Sequence, residues 1–364
     1  MKFRCERDVL VDALATAGRA VNSRGGALPV LSGIRTELVG DLLRLSATDL
    51  ELSISVEVEV AGIHDGVAVI PARLFVDIVR ALDAGAVVVE IIDDQAQVSS
   101  GRSNFTLRLI PADDFPRSPA IDVVALSVDA RSLAQALRQV VPAASSDDSR
   151  PVLTGVHMAA EAGGLRLVAT DSYRLAVRDL VDAPVLAEGQ EVLLPSRALA
   201  ELTRLLTGAG TVDLRLGERE ASFECGRSRL TTRLIEGSFP NYRTLIPRNH
   251  PNRLTVGREV LLDAVRRVRL LARESTPIRL VQKADCLELL AMTQDVGQAH
   301  ESVDASYVGA ELTVAFNPDY LMAGLEAISA DEVVLESLDA RNPAVLRGVG
   351  NEDFFYLLMP VRVS

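Results

Sequence analysis

The chain repeats itself, and the repeat constrains its fold more than any other feature of the sequence. Leu28-Pro29-Val30-Leu31-Ser32-Gly33 returns as Arg150-Pro151-Val152-Leu153-Thr154-Gly155, an offset of 122 from Pro29 to Pro151. Ala47-Thr48-Asp49-Leu50 returns at the same offset as Ala169-Thr170-Asp171-Ser172. Ile70-Pro71-Ala72-Arg73-Leu74 then matches Leu194-Pro195-Ser196-Arg197-Ala198, Gly101-Arg102-Ser103 matches Gly226-Arg227-Ser228, and Phe115-Pro116 matches Phe239-Pro240. Matches in one order at nearly constant spacing mark a tandem duplication. A third copy is fainter, carried by Ala291-Met292-Thr293 and Asn317-Pro318-Asp319-Tyr320-Leu321. Three such units fill the 364 residues. Proline concentrates in residues 111–119 and 240–251, so the expected domains are 1–120, 121–250 and 251–364.

Each unit alternates the same two periodicities. Over residues 52–60, Leu52, Ile54, Val56, Val58 and Val60 alternate with Ser53, Ser55, Glu57 and Glu59, the pattern of a half-buried antiparallel strand. Residues 165–168 and 212–216 read similarly. Helical spacing is expected twice per unit, over 9–20, 74–82, 133–141, 199–206, 261–271 and 321–328. Pro71, Pro195 and Pro318 stand where a helix would begin, a position that loses nothing by lacking an N–H. The fold class is therefore α+β, three repeated domains of two helices packed on antiparallel sheet.

Apolar residues make up 48% of the chain and no run approaches the length that spans a bilayer. The charged start, Met1-Lys2-Phe3-Arg4, is not a secretory signal, and the expected location is cytoplasmic. Cys5, Cys225 and Cys286 are odd in number and far apart, and His64, His157, His250 and His300 show no ligand spacing, so no disulfide, metal or cofactor is expected. Ala-Thr-Asp occurs twice without a neighbouring histidine or lysine. It reads as a turn in which Thr and Asp bond their own backbone, and the chain reads as no enzyme.

The net charge is −12, yet six windows around the expected helices hold 13 arginines against 8 acids. Arg73-Asp77-Arg80, Arg131-Gln135-Arg138, Arg197-Glu201-Arg204 and Arg266-Arg269-Arg273 each lie on one helical stripe, opposite the leucines. The last helix departs from this, carrying Asp319 and Glu326. A cationic helix face on an acidic chain attracts phosphate without reading sequence.

Three segments, Val168-Ala169-Thr170-Asp171-Ser172-Tyr173-Arg174-Leu175-Ala176-Val177, Gly237-Ser238-Phe239-Pro240-Asn241-Tyr242-Arg243 and Tyr356-Leu357-Leu358-Met359-Pro360, together with the threefold repeat, resemble the beta subunit of bacterial DNA polymerase III, the sliding clamp. The resemblance runs the length of the chain. It implies a head-to-tail homodimer ring, helices inside and sheets outside, that encircles double-stranded DNA and acts as a processivity factor. Its implied partners are the DNA polymerase III alpha subunit, a clamp loader, and other polymerases and repair proteins, with no membrane. It assigns DNA proximity to Arg24, Arg73, Arg80, Arg138, Arg150, Arg197 and Arg204. A pocket for short apolar partner motifs is implied at Leu153, Thr170, Ser172, Tyr173, Arg174, Leu175, Pro240, Leu245, Val345, Leu358, Met359, Pro360 and Arg362. Thr244 stands where the family has a basic residue, and Ser275 near an aromatic rim position. The dimer contact is implied between Phe105 and Leu107 on one chain and Leu270 and Leu271 on the other. A specialised clamp paralogue and an unrelated repeat-built scaffold are the alternatives.

Overall fold

The computed structural model describes residues 1–21, 28–116, 121–161, 163–181, 183–247, 250–272 and 276–362. Among these the strands form three sheets, every pairing antiparallel. The first sheet runs β5 (Ala61–His64), β1 (Lys2–Glu6), β7 (Ala86–Ile92), β8 (Gln95–Ser100), β9 (Ser103–Arg108). The second runs β10 (Leu126–Asp129), β15 (Thr211–Leu216), β16 (Glu220–Cys225), β17 (Ser228–Arg233), β4 (Leu52–Glu59), β3 (Leu42–Thr48), β2 (Gly33–Val39), β6 (Gly66–Pro71). The third runs β14 (Glu191–Pro195), β11 (Gly155–Glu161), β12 (Gly164–Thr170), β13 (Arg174–Leu180), β25 (Phe354–Leu358), β24 (Ala344–Gly348), β23 (Glu332–Ser337), β18 (Asn252–Gly257), β21 (Gly297–Val308), β20 (Cys286–Thr293), β19 (Ile278–Gln282), β22 (Leu312–Phe316).

The six helices fall where apolar spacing places them: α1 (Arg7–Ala17), α2 (Ala72–Ala81), α3 (Ala130–Val140), α4 (Ser196–Leu205), α5 (Arg258–Arg269) and α6 (Pro318–Ala327). In α1 the buried face is Leu10, Ala13, Leu14 and Ala17; in α2 it is Ala72, Phe75 and Val79. Each fully buried leucine or phenylalanine contributes about 1.5–3 kcal/mol, so these faces, more than helix propensity, hold the helices in place. The prolines are placed differently from one another. Pro71 and Pro195 close strands β6 and β14, one residue before the helix. Pro318 is the first helical residue, and the Asn317 side chain caps α6 by accepting from the Asp319 N–H at 2.8 Å.

The chain divides into two compact units, residues 1–131 with 201–234, and residues 132–200 with 235–364. Within the first, β17 from beyond residue 200 pairs with β4, Thr231 opposite Ser53. Within the second, β25 pairs with β13 in the same way, Leu357 opposite Leu175. β4 keeps the alternation read from sequence, with Leu52, Ile54, Val56 and Val58 buried. β12 does not. Leu165, Leu167, Val168, Ala169 and Thr170 are all buried, because apolar side chains cover this sheet on its second face as well.

Candidate functional site

The turn between β12 and β13 is built by its own polar residues. The Thr170 hydroxyl donates to the Arg174 carbonyl at 2.6 Å and accepts from the Ser172 N–H at 3.1 Å. One oxygen of Asp171 accepts from the Tyr173 and Arg174 N–H groups at 2.9 and 3.0 Å. Together they hold Ser172 at φ 81°, a left-handed conformation that costs a non-glycine residue about 1–2 kcal/mol. The first copy is the same: Thr48 and Asp49 bond Leu50, Glu51 and Leu52, and Leu50 sits at φ 79°. The repeated Ala-Thr-Asp is a turn.

What the second copy adds is Arg174. Its guanidinium meets the other Asp171 oxygen at 3.0 Å and lies 4.5 Å from the Tyr320 ring centroid, which Tyr173 stacks on from 6.3 Å. It also donates to the Tyr356 hydroxyl at 3.4 Å. Burial works against the charged guanidinium, yet Tyr356 and Asp171 hold its pKa above the ordinary value. Burial pushes the Tyr356 hydroxyl up to about 12 from 10.0, with Arg174 pulling the other way. Between those values the folded chain keeps a proton that the unfolded chain releases. Stability present below pH 10 is therefore lost as pH rises toward 12, by about 2–3 kcal/mol from this group. Denaturant melts at pH 9 and 11 should show about half of that drop, roughly 1.3 kcal/mol, in the native chain and a shallower one in Tyr356→Phe.

Beside this corner lies an apolar cluster of Val168, Leu175, Val177, Tyr242, Val345 and Leu357, packed by Phe239, Ile246 and Phe355. The segment carrying Pro240 and Leu245 crosses it. Tyr242 is buried in the cluster, while Pro240 and Leu245 face solvent. That segment is tied down by Arg243, whose guanidinium bonds both oxygens of Glu161 at 3.1 and 2.7 Å. Glu161 also accepts from Arg166, which in turn makes two bonds to Asp179 at 2.6 and 2.7 Å.

The motif-site residues thus divide by burial. Thr170, Leu175, Val345 and Leu358 are buried, and Arg174 and Pro360 are half-buried. Ser172, Tyr173, Pro240, Leu245, Met359 and Arg362 are exposed, Tyr173 at 58% and Met359 at 37%. The Met359 N–H donates to the Tyr173 carbonyl at 2.9 Å, joining the chain's last strand to the turn. Leu153 is buried at the end of a short helical turn, its carbonyl accepting from the Ser145 N–H at 2.8 Å. Thr244 donates locally to the Asn241 carbonyl, and Ser275 lies outside the described residues. Phe239, Tyr320 and Tyr356 lie in segments that the sequence marks but were not among the residues assigned to the site, and Glu161 carries no sequence signal, because their contacts form only on folding.

Arg73, Arg80, Arg138, Arg197 and Arg204 are exposed on their helices. Asp77 lies 4.0 and 3.9 Å from Arg73 and Arg80, and Glu201 pairs with Arg204. Arg150 bonds Asp147 and the Ser172 hydroxyl, and Arg24 lies outside the described residues. The acids of α6 have a local role: Glu326 pairs with Arg266 and Asp319 with Arg269, both on α5. Arg273 lies outside the described residues.

β9 is the last strand of its sheet, with Phe105 40% exposed and Leu107 buried. Just past α5, Leu270 is 84% exposed and Leu271 half-buried. Among the described residues no cluster of three His, Cys, Asp or Glu side chains could hold a metal, and no helix is long and apolar enough to cross a membrane.

Residues 1–119, 127–241 and 243–362 match the N-terminal, central and C-terminal domains of the family described as DNA polymerase III beta subunit. The beta sliding clamp of Streptomyces coelicolor is 37% identical over 376 residues, and that of Synechocystis 33% over 393, each covering both chains fully. Among solved structures, a sliding clamp (DNA polymerase III subunit beta) from Bartonella birtlesii bound to griselimycin aligns with a TM-score of 0.94 at 31% identity. The DNA polymerase sliding clamp of Bacillus subtilis aligns at 0.92 and 29%, both over the full lengths. The threefold repeat, the sheet that each repeat continues in the next, and these full-length matches agree: the chain belongs to the DNA polymerase III beta subunit family, the bacterial sliding clamps, which are non-enzymatic processivity factors.

Proposed function

We propose that two copies of this chain close head to tail around duplex DNA and slide on it without reading sequence. The observation that carries this reading is an unfinished pattern. β17 docks on β4 and β25 docks on β13, but β9, their counterpart in the first repeat, is an edge. The counterpart of β4 and β13 in the third repeat is β21. Its residues 305–308 pair with β18, whereas residues 297–304 pair with β20 alone. One open donor edge and one open acceptor edge on the same chain are what a closed head-to-tail assembly uses. Carrying over the internal register places Asn104 opposite His300 and Thr106 opposite Gln298 of the second copy, with Phe105 and Leu107 near Leu270 and Leu271. A chain with both Asn104→Cys and His300→Cys should form covalently closed dimers on oxidation, seen as a doubled mass in denaturing gels, and neither single variant should.

The three domains are taken at 1–120, 121–250 and 251–364. The exposed arginines of α2, α3 and α4, with Arg150, supply the weak phosphate attraction that sliding requires. The surface over Leu175, Val345 and Leu358, rimmed by Tyr173, Pro240, Leu245, Met359 and Pro360, takes short apolar motifs. Arg174 and Arg362 fix backbone carbonyls or a carboxylate there. Motif carriers are the polymerase III alpha subunit, the clamp loader, and other polymerases and repair proteins, all met in the cytoplasm.

The test is retention of labelled protein on nicked circular DNA after loading by a clamp loader with ATP. Release when the circle is linearised is the expected result. Retention that survives cutting and disappears only in high salt would mean electrostatic binding and overturn the reading.

A further inference from the structure

The two sheet junctions inside the chain can be compared position by position. β3, β4 and β17 stand to the first as β12, β13 and β25 stand to the second, with Ala47 opposite Ile54 and Ala169 opposite Ala176. At the second junction the positions facing away from the helices hold Val168, Leu175, Val177, Phe355 and Leu357, and the segment with Phe239 and Tyr242 packs on them. At the first, the same positions hold Ser46, Ser53, Ser55, Arg229 and Thr231. There, among the described residues, the surface is a cavity of about 530 Å³ that Phe115 and Pro116 help to line. We propose that this groove is a second docking site, for an extended acidic peptide segment of a partner protein.

The volume is that of a ligand pocket. Arg35, Arg44, Arg227 and Arg229 line it against Glu57 and Glu224, a cationic concavity on a chain of net charge −12. The guanidinium groups are steadied by acids: Arg35 by Glu37 at 2.6 Å, Arg44 by Glu57 at 2.6 Å and Glu37 at 3.9 Å, Arg227 by Glu59, and Arg229 by Glu224. A guanidinium has five N–H donors, so donors remain for a ligand. Ser46, Ser55, Ser228 and Thr231 add hydroxyls to the lining. Arg35 stands on β2, Arg44 on β3 and Arg229 on β17, with β4 between the last two and Arg227 in the turn before β17, so at about 5 Å per strand the three span roughly 15 Å across the sheet. That row matches carboxylates spaced along an extended chain better than one compact phosphate. Leu45, Ala47, Leu52 and Ile54 point to the opposite, buried side where α1 packs, so the groove and the helix arginines serve different ligands.

The site does not depend on the motif pocket, and one experiment separates them. A fluorescein-labelled peptide of alternating Glu and Ser is titrated with the full chain at low salt and followed by anisotropy, beside an alternating Lys-Ser peptide and a short DNA duplex. Saturable binding of the Glu-Ser peptide is expected, weakened at least tenfold in a chain carrying Arg44→Gln and Arg229→Gln and unchanged by Met359→Lys in the other site. The glutamine variants keep a flexible polar side chain without the charge, and an unshifted melting temperature certifies their fold; should the pair unfold, Arg229→Gln alone is read. Absence of saturable binding, equal binding of the Lys-Ser peptide, full displacement by the duplex, or indifference to the arginine changes would each overturn the proposal.

Discussion

Asp171→Ala is expected to destabilise the second unit by about 3 kcal/mol and to abolish motif binding. The change deprives the Tyr173 and Arg174 N–H groups of their acceptor, and it leaves the largely buried Arg174 without the carboxylate 3.0 Å away. Removing one partner of a buried ion pair costs about 3–5 kcal/mol, and the lower end applies because both side chains keep some contact with water. For a unit of this size that corresponds to a melting shift of roughly 6–12 °C. The repeat provides the control. Asp49 accepts from Glu51 and Leu52 in the same turn, but Leu52 stands in Arg174's place, so Asp49→Ala should cost about 1–2 kcal/mol. Equal losses at the two sites would show that the arginine pair contributes nothing. Asp171→Asn, which keeps an acceptor and loses the charge, should fall between.

Gly324→Val is expected to cost at least as much, by steric conflict. A Cβ at Gly324 in α6 would lie 2.6 and 2.8 Å from two ring carbons of Tyr356 and 3.2 Å from Leu346. Tyr356 is fully buried and bonded to Arg174, so the ring has nowhere to retreat and the helix must lift. Overpacking of this kind costs about 1–3 kcal/mol for one added carbon, against which alanine regains about 0.5–1 kcal/mol of helix propensity. Valine adds two further methyls and a restricted rotamer, for about 3 kcal/mol or more. Lifting α6 moves Tyr320 off Arg174, so motif affinity should fall with stability. A valine variant that melts with the native chain would refute the packing argument.

The helices were legible because Leu10, Leu14, Phe75 and Val79 repeat at a period that no strand shares. The Thr-Asp turns were legible because their bonds close within five residues. Strand partnership was not, since β17 reaches β4 and β25 reaches β13 across more than a hundred residues that carry no local mark of the pairing. For the same reason the covered outer face of β12 was invisible: Val168 reads as one more apolar residue until Tyr242 and Phe239 are seen over it. Of the motif site, the Ser172 to Leu175 stretch could be placed from sequence. The cage of Tyr320 and Tyr356 and the Glu161 tether depend on segments the chain brings together only on folding.

The pairing of β17 with β4 also has a consequence for the ribosome. β4 is complete by Glu59, but its sheet neighbour ends at Arg233, so at 5–20 residues per second the nascent chain carries an open strand edge for roughly 9–35 s. β13 then waits over a similar span for β25. Ser53, Ser55 and Glu57 on the solvent side of β4 keep that waiting edge polar. β13, whose Leu175 and Val177 are apolar at the same places, is the strand on which an arrested or truncated chain would aggregate, and the one a chaperone would cover first.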